Sequence, residues 1–253
     1  MSGYAPPKRE PAHLSTSSET RSPATGQLPP SLRPTHSQTL ISLPCSPAEL
    51  SLSYNGGKDC LVLLILYLSI LPSLPASKLA SLPPLLPAVY ILPPSPFPQV
   101  STFVAQTSTR YHLRLTHYSL PMREAFRTHL DRHPHIRAVM VGTRRTDPHG
   151  SQLTFFDETD GGWPRFMRVH PVLEWRYAEV WIFLRCLHIP YCELYDRGYT
   201  SLGGTNDTRP NPALRRERPP AEEDRLSPET EAGEYRPAYE LEDDSLERAG
   251  RFS

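Results

Sequence analysis

The densest chemistry in the chain lies in Ser53-Tyr54-Asn55-Gly56-Gly57-Lys58-Asp59. A short alternating run, Leu50 and Leu52, precedes it, and an apolar helical run from Cys60 to about Ile70 follows. Strand, glycine turn and helix start are the setting in which unpaired backbone N–H groups and the positive end of the helix dipole favour an anion. Adjacent glycines let backbone approach a phosphate closely. The spacing G-x-x-x-x-G-K-[ST] of a Walker A loop is absent. A plain glycine turn would share Gly-Gly-Lys. The hydroxyl and amide before it and the carboxylate after it are the additions that point to chemistry.

The elements able to position such a turn follow from periodicity. Ala88–Leu92 reads as a buried strand, 98–109 as a helix with Val100, Phe103, Val104 and Thr107 on one face, and 113–118 as a third strand. Pro121 opens a helix with Met122, Phe126 and Leu130 inward, and Ile136–Val141 is a fourth strand ending at Gly142. Strands alternating with helices predict an α/β, Rossmann-like parallel sheet with helices on both faces. Ligands of such sheets collect beyond the strand C-termini, which nominates 54–59, 92–98 and 142–150. Farther on, Glu174–Leu187 predicts a helix with Trp175, Ala178, Trp181, Leu184 and Leu187 inward, amid irregular loops.

Composition bounds the rest. Lys plus Arg and Asp plus Glu number 27 each, so overall charge gives no sign of a nucleic-acid or anionic-membrane partner. Prolines number 30 in 253 residues, about twice the usual ~5%, so part of the chain is expected to stay unpacked. Residues 1–47 predict a disordered Ser/Thr/Pro-rich leader, 48–214 the folded domain, and 215–253 an acidic mobile tail. Pro44 and Pro47 forbid a regular helix ahead of the first strand, which leaves that strand poorly supported. The start has no apolar signal region, and Leu61–Leu71 is 11 residues against the ~20 of a membrane span. A cytoplasmic protein with free thiols at Cys45, Cys60, Cys186 and Cys192 is the expectation, with Cys186 and Cys192 packing rather than reacting. His129, His133 and His135 cluster, but only His129 and His133 share a helix face, and two imidazoles without a third placed ligand read as surface polar groups rather than a zinc site.

The longer string Ser53 to Cys60 resembles the PP-loop of the ATP pyrophosphatase superfamily, and in particular that of eukaryotic FMN adenylyltransferases of the fungal type, which share the PAPS reductase-like fold. The resemblance continues through Val89-Tyr90-Ile91-Leu92, Gly142-Thr143-Arg144-Arg145-Thr146-Asp147-Pro148, Trp163 to Val169, Pro190 to Pro212 and Tyr235 to Arg251. It implies that the 5′-phosphate of FMN attacks the α-phosphorus of ATP, giving FAD and pyrophosphate, with Mg²⁺ as cofactor. By the same resemblance Asn55, Asp59, Asp147 and Arg248 are catalytic, and Asp59 and Asp147 hold the Mg²⁺. Ser53, Tyr54, Gly56, Gly57, Lys58, Tyr90, Ile91, Gly142, Arg144 and Arg251 would bind ATP. Trp163 and Arg168 would bind the flavin in an irregular C-terminal region. Lys58, Arg144, Arg145 and Arg168 are the cations expected to offset the substrate charge, with Arg248 and Arg251 closing as a mobile clamp. Partners would be these small molecules only, with no nucleic acid or membrane, and the protein a monomer. A sulfonucleotide reductase of the same fold needs a C-terminal redox cysteine, and none follows Cys192. A thiolating or amide-forming PP-loop enzyme, or a relative that binds nucleotide without transfer, remains the other alternative.

Overall fold

The computed structural model describes residues 42, 45–216 and 234–252. Strands β1 (Leu50–Ser53), β2 (Leu86–Ile91), β3 (Leu113–Tyr118), β4 (Ala138–Met140), β5 (Phe156–Glu158) and β6 (Met167–Val169) form one sheet in the order β3-β2-β1-β4-β6-β5. All neighbours are parallel except the edge pair β5–β6. The Rossmann-like α/β sheet expected from the sequence is present, with one antiparallel strand added at its edge. Between strands run α1 (Lys58–Ile70), the short α2 (Ala76–Leu79), α3 (Pro98–Arg110) and α4 (Met122–Arg132), and α5 (Tyr177–Cys186) follows β6.

Strand alternation divides the core between the two faces. Leu52, Ala88, Tyr90, Ala138 and Met140 face α1, α3 and α5, which contribute Leu61, Val104 and Val180. Val89 and Val139 face Ala125 and Phe126 of α4. Helix α1 is apolar nearly all round because it lies between the sheet and α5, and Leu61, Val62, Leu63 and Leu64 are all buried. On the opposite face Ser51 of β1 meets His129 of α4, Oγ to Nε2 at 3.1 Å, and Tyr118 OH lies 3.4 Å from His129 Nδ1. His129 is thus a buried core histidine and not a surface group, because β1 offers it a hydroxyl.

Other expectations are corrected by packing. Met122 is exposed and Ala125 and His129 take the inward positions of α4. In α5 the buried face is Tyr177, Val180, Trp181, Phe183 and Leu184, while Ala178 and Leu187 are exposed. Trp175 is buried but precedes the helix, so it does not set the phase. Cys186 is exposed and Cys192 buried. Pro47 opens a 3-10 turn, Pro47–Glu49, whose Ser46 side chain caps Ala48 N at 3.1 Å while Glu49 returns a bond to Ser46 N at 2.9 Å. That capping box supports β1 where a helix is forbidden. The expected leader otherwise lies outside the described residues. The expected tail divides: 217–233 and 253 lie outside them, whereas 234–252 packs on the body, burying Ala238 and Leu241 and pairing Tyr235 with Arg215 and Arg251 with Thr208.

Two buried histidines give the fold an acid limit. Burial pushes His129 down to about 4, helped by His133 and His135, and burial likewise takes His170 to about 4 against the opposing pull of Asp157, with Arg168 adding to the depression. The unfolded chain binds a proton at each below ~6.5 and the fold does not until about 4. Stability is therefore complete above ~6.5 and drains as pH falls through that window, by roughly 3 kcal/mol per histidine at most. Thermal melts from pH 7 to 4.5 should show the midpoint falling, with a shallower fall in His129→Leu, where Ser51 Oγ keeps its bond to Pro87 O. A pH-independent midpoint would mean that the two imidazoles take up protons in the fold as readily as in the unfolded chain.

Candidate active site

The chain runs outward from β1 through β2 to β3 and then returns to the middle of the sheet as β4, so the crevice lies where β1 and β4 leave side by side, Leu52 beside Met140. The loop after β1 is drawn tight by its own residues. Asn55 Oδ1 accepts from Gly57 N at 2.9 Å, and Gly56 has φ +74°, with Val104 Cγ2 only 2.7 Å from where a Cβ would stand. Gly142, leaving β4, lies so close to the start of α1 that a Cβ would be 2.9 Å from Cys60 N. These two glycines bring the strand tips and the helix N-terminus into one place. The Lys58 N–H is already used, donating to Tyr195 OH at 2.9 Å.

Here the chain gathers an ionic cage. Lys58 Nζ lies 3.0 Å from Asp59 Oδ2 and 2.5 Å from Glu247 Oε1. Arg144 Nε lies 2.8 Å from Asp59 Oδ1, its Nη2 pairs with Glu247 Oε2, and Asp147 Oδ1 is 3.9 Å from the same Nη2. Asp147 also closes its own turn, accepting from Arg144 N at 2.8 Å. Asp59, in the first turn of α1, and Asp147, in the loop after β4, thus share one guanidinium. Burial pushes the Asp59 carboxyl up, but Lys58 and Arg144 outweigh it and hold Asp59 below the usual range. Asp147 is raised, by burial first and also by repulsion from Asp59.

Two cations against three carboxylates leave the cage one negative charge in excess. The side chains of Lys58 and Arg144, which the resemblance gives to ATP, are 2% and 1% exposed and turned to carboxylates, with Arg144 Nη1 buried and without a hydrogen-bond partner. Arg145 is also committed, to Glu174 and to the carbonyls of Ser151 and Leu153 at 2.9 and 3.1 Å. Tyr54 and Tyr90 are buried, Tyr54 OH donating to Thr107 Oγ1 at 2.9 Å and the Tyr90 ring meeting His117 edge-on. What this edge presents are Ser53, the loop backbone, the half-buried Ile91, the exposed Asn55 and Arg248, and the partly exposed carboxylates of Asp59 and Asp147. Arg251 pairs with Asp207 at 3.3 Å, which ties down the clamp expected to be mobile.

Trp163 and Arg168 lie on the α4 side. The Trp163 ring stands 6.3 Å from that of Phe126, with the Arg123 guanidinium 5.8 Å from its centroid. Arg168 is in register with Val139, donates to Glu158 O at 3.1 Å, and keeps a buried Nε without a hydrogen-bond partner. Sequence reasoning misses Glu247 and Tyr195, and with them Thr200, whose hydroxyl donates to Glu247 O, and Asn211, whose amide donates to Thr200 Oγ1. Glu247 stood in an acidic stretch, and nothing in sequence tied it to Lys58, 189 residues away.

The chain matches the model of the phosphoadenosine phosphosulfate reductase domain over residues 49–134 and 120–210. It is 45% identical over 205 residues to a probable FAD synthase of Schizosaccharomyces pombe, covering 81% of this chain and 72% of that one. With the flavin adenine dinucleotide synthase of Saccharomyces cerevisiae it shares 40% over 192 residues, 67% of this chain and 60% of the other. Among solved structures, Candida glabrata FMN adenylyltransferase in complex with FMN and the ATP analogue AMPCPP superposes with a TM-score of 0.76 at 37% identity, covering 86% and 87% of the two chains. Yeast FAD synthetase in complex with FAD gives 0.75 at 37%, covering 86% and 88%. Likeness of this extent makes the chain a member of the FAD synthase (FMN adenylyltransferase) family within the PAPS reductase-like fold.

Proposed function

We infer that the protein transfers AMP from ATP to the 5′-phosphate of FMN, forming FAD and pyrophosphate. The observation that carries this is the meeting of Asp59 and Asp147 on one guanidinium at the helix N-terminus where β1 and β4 part. No side-chain nucleophile is required, because the FMN phosphate is ionised near neutral pH. The protein must hold that phosphate in line with the bond from the α-phosphorus to the leaving pyrophosphate and offset their repulsion.

Loop amides and Asn55 receive the triphosphate. With its Oδ1 committed to Gly57, what Asn55 offers is its amide nitrogen. Gly142 and the Ile91 backbone border the adenine, Arg248 and Arg251 act on the phosphates, and Trp163 and Arg168 take the flavin and its phosphate. The cage's negative excess requires a further cation beside the substrates. Asp59 and Asp147 suit Mg²⁺, which takes one or two carboxylates and completes its shell with phosphate oxygens and water; the repulsion that raises Asp147 is relieved by such an ion. When bound it supplies charge neutralisation at the phosphates. A cytoplasmic monomer acting on small molecules, with neither nucleic acid nor membrane as partner, completes the proposal.

Incubating the purified protein with FMN, ATP and Mg²⁺ should yield FAD and pyrophosphate in equal amounts, and chelation should stop the reaction. Binding of ATP and FMN without either product would refute transfer.

A further inference from the structure

Glu247 enters the scheme above only through its charge in the cage, yet the fold holds both its side chain and its backbone. It is 7% exposed and each carboxylate oxygen takes one cation, Lys58 or Arg144. Its backbone is held as firmly. Thr200 Oγ1 donates to Glu247 O at 2.6 Å, and Asn211 Nδ2 donates to Leu246 O at 2.7 Å and to Thr200 Oγ1 at 2.9 Å. Thr200 and Asn211 are themselves buried. Downstream, Arg209 N donates to Gly250 O at 2.9 Å and Phe252 N to Asp207 O at 2.9 Å. Between these anchors Arg248 is exposed.

A buried carboxylate is a poor source of stability, since desolvation offsets much of its attraction to a partner. This one also takes up the two cations nearest the phosphate loop, which only makes the crevice less hospitable to an anion. Its effect is instead geometric. It ties a segment that follows residues 217–233 to the strand tips, and Arg248 is the next residue. An arginine on an untethered segment would lose backbone and side-chain entropy each time it was ordered on substrate. Tethering removes that loss in advance.

We propose that Glu247 is a positioning residue: by bridging Lys58 and Arg144, with Thr200 and Asn211 latching its backbone, it fixes the 246–251 turn so that Arg248 is presented to the triphosphate. The proposal rests on the adenylyl-transfer reading and on the role given there to Arg248.

The test is a double-mutant cycle on kcat for FAD formation, using wild type, Glu247→Gln, Arg248→Ala and the double variant, with melting curves for each. Glu247→Gln keeps the shape and removes the charge. It should lower kcat about tenfold or more in the wild-type background and less than about twofold when Arg248 is already alanine. Asn211→Ala, which leaves every cage charge in place, should show the same pattern and carries the test if the glutamine variant does not fold. Equal factors in both backgrounds, or an unchanged kcat in Glu247→Gln and Asn211→Ala, would overturn the proposal. A fully active Arg248→Ala, or a wild type that makes no FAD, would instead sink the underlying reading, and the four rates tell these outcomes apart.

Discussion

Replacing Asp147 with asparagine is expected to slow FAD formation by roughly a hundredfold or more, the scale set by losing one transition-state contact. The substitution is clean because an asparagine Oδ1 can still accept from Arg144 N, the 2.8 Å bond that closes the turn. Only the charge goes. Asp59→Asn should cost as much in rate. Its cations keep a second partner in Glu247, so the fold survives. If the two carboxylates share one divalent ion, the double variant should be little slower than either single one, and all three should need more Mg²⁺ to reach their residual rate. Initial rates across a Mg²⁺ titration measure both. Near-normal FAD formation by Asp59→Asn and Asp147→Asn would remove the carboxylate pair from the reaction.

The frame that positions this pair was legible because it is written in local pattern. Leu50 and Leu52 alternate into the glycine turn, 113–118 alternates over a full strand, and Pro98 marks the start of α3. Strands β5 and β6 were missed because each is three residues long and neither lies in a longer apolar run such as Ile136–Val141, which disclosed the equally short β4. The inward face of α5 was misassigned because Trp175, the largest apolar residue nearby, sits before the helix and falsely sets its phase.

The site was legible in a different way. Asn55, Asp59, Gly142 and Asp147 lie within the quoted motifs, and the topology of the sheet brings those motifs together. Which way a charged side chain turns is a tertiary fact. Lys58 beside two glycines reads as a phosphate ligand until Glu247 arrives from the far end of the chain. The expected solvated tail fails for the same reason. Its acidic composition is average-true, but one of its carboxylates finds two buried cations and the segment is ordered around it.

That turn of Lys58 separates two outcomes for Lys58→Met. A lysine that only met ATP would leave the empty protein as stable as wild type and raise KM for the nucleotide. The structure has its ammonium 2% exposed, between Asp59 and Glu247 and 5.1 Å from the centroid of the Tyr177 ring. Burial alone would push the ammonium down, but Asp59 and Glu247 outweigh it and keep the group charged. Methionine fills much of the space and packs on Tyr177, yet it leaves two carboxylates facing each other with Arg144 as their one remaining cation. Removing one member of a buried pair typically costs 3–5 kcal/mol, a large part of the roughly 5–15 kcal/mol of a whole domain. Denaturant unfolding without nucleotide should show a loss of about that size. Adding Glu247→Leu should recover part of it, because the carboxylate stranded by methionine is then gone, without recovering activity. An unchanged unfolding midpoint in Lys58→Met, with the defect confined to KM for ATP, would show that the lysine serves the substrate and not the cage.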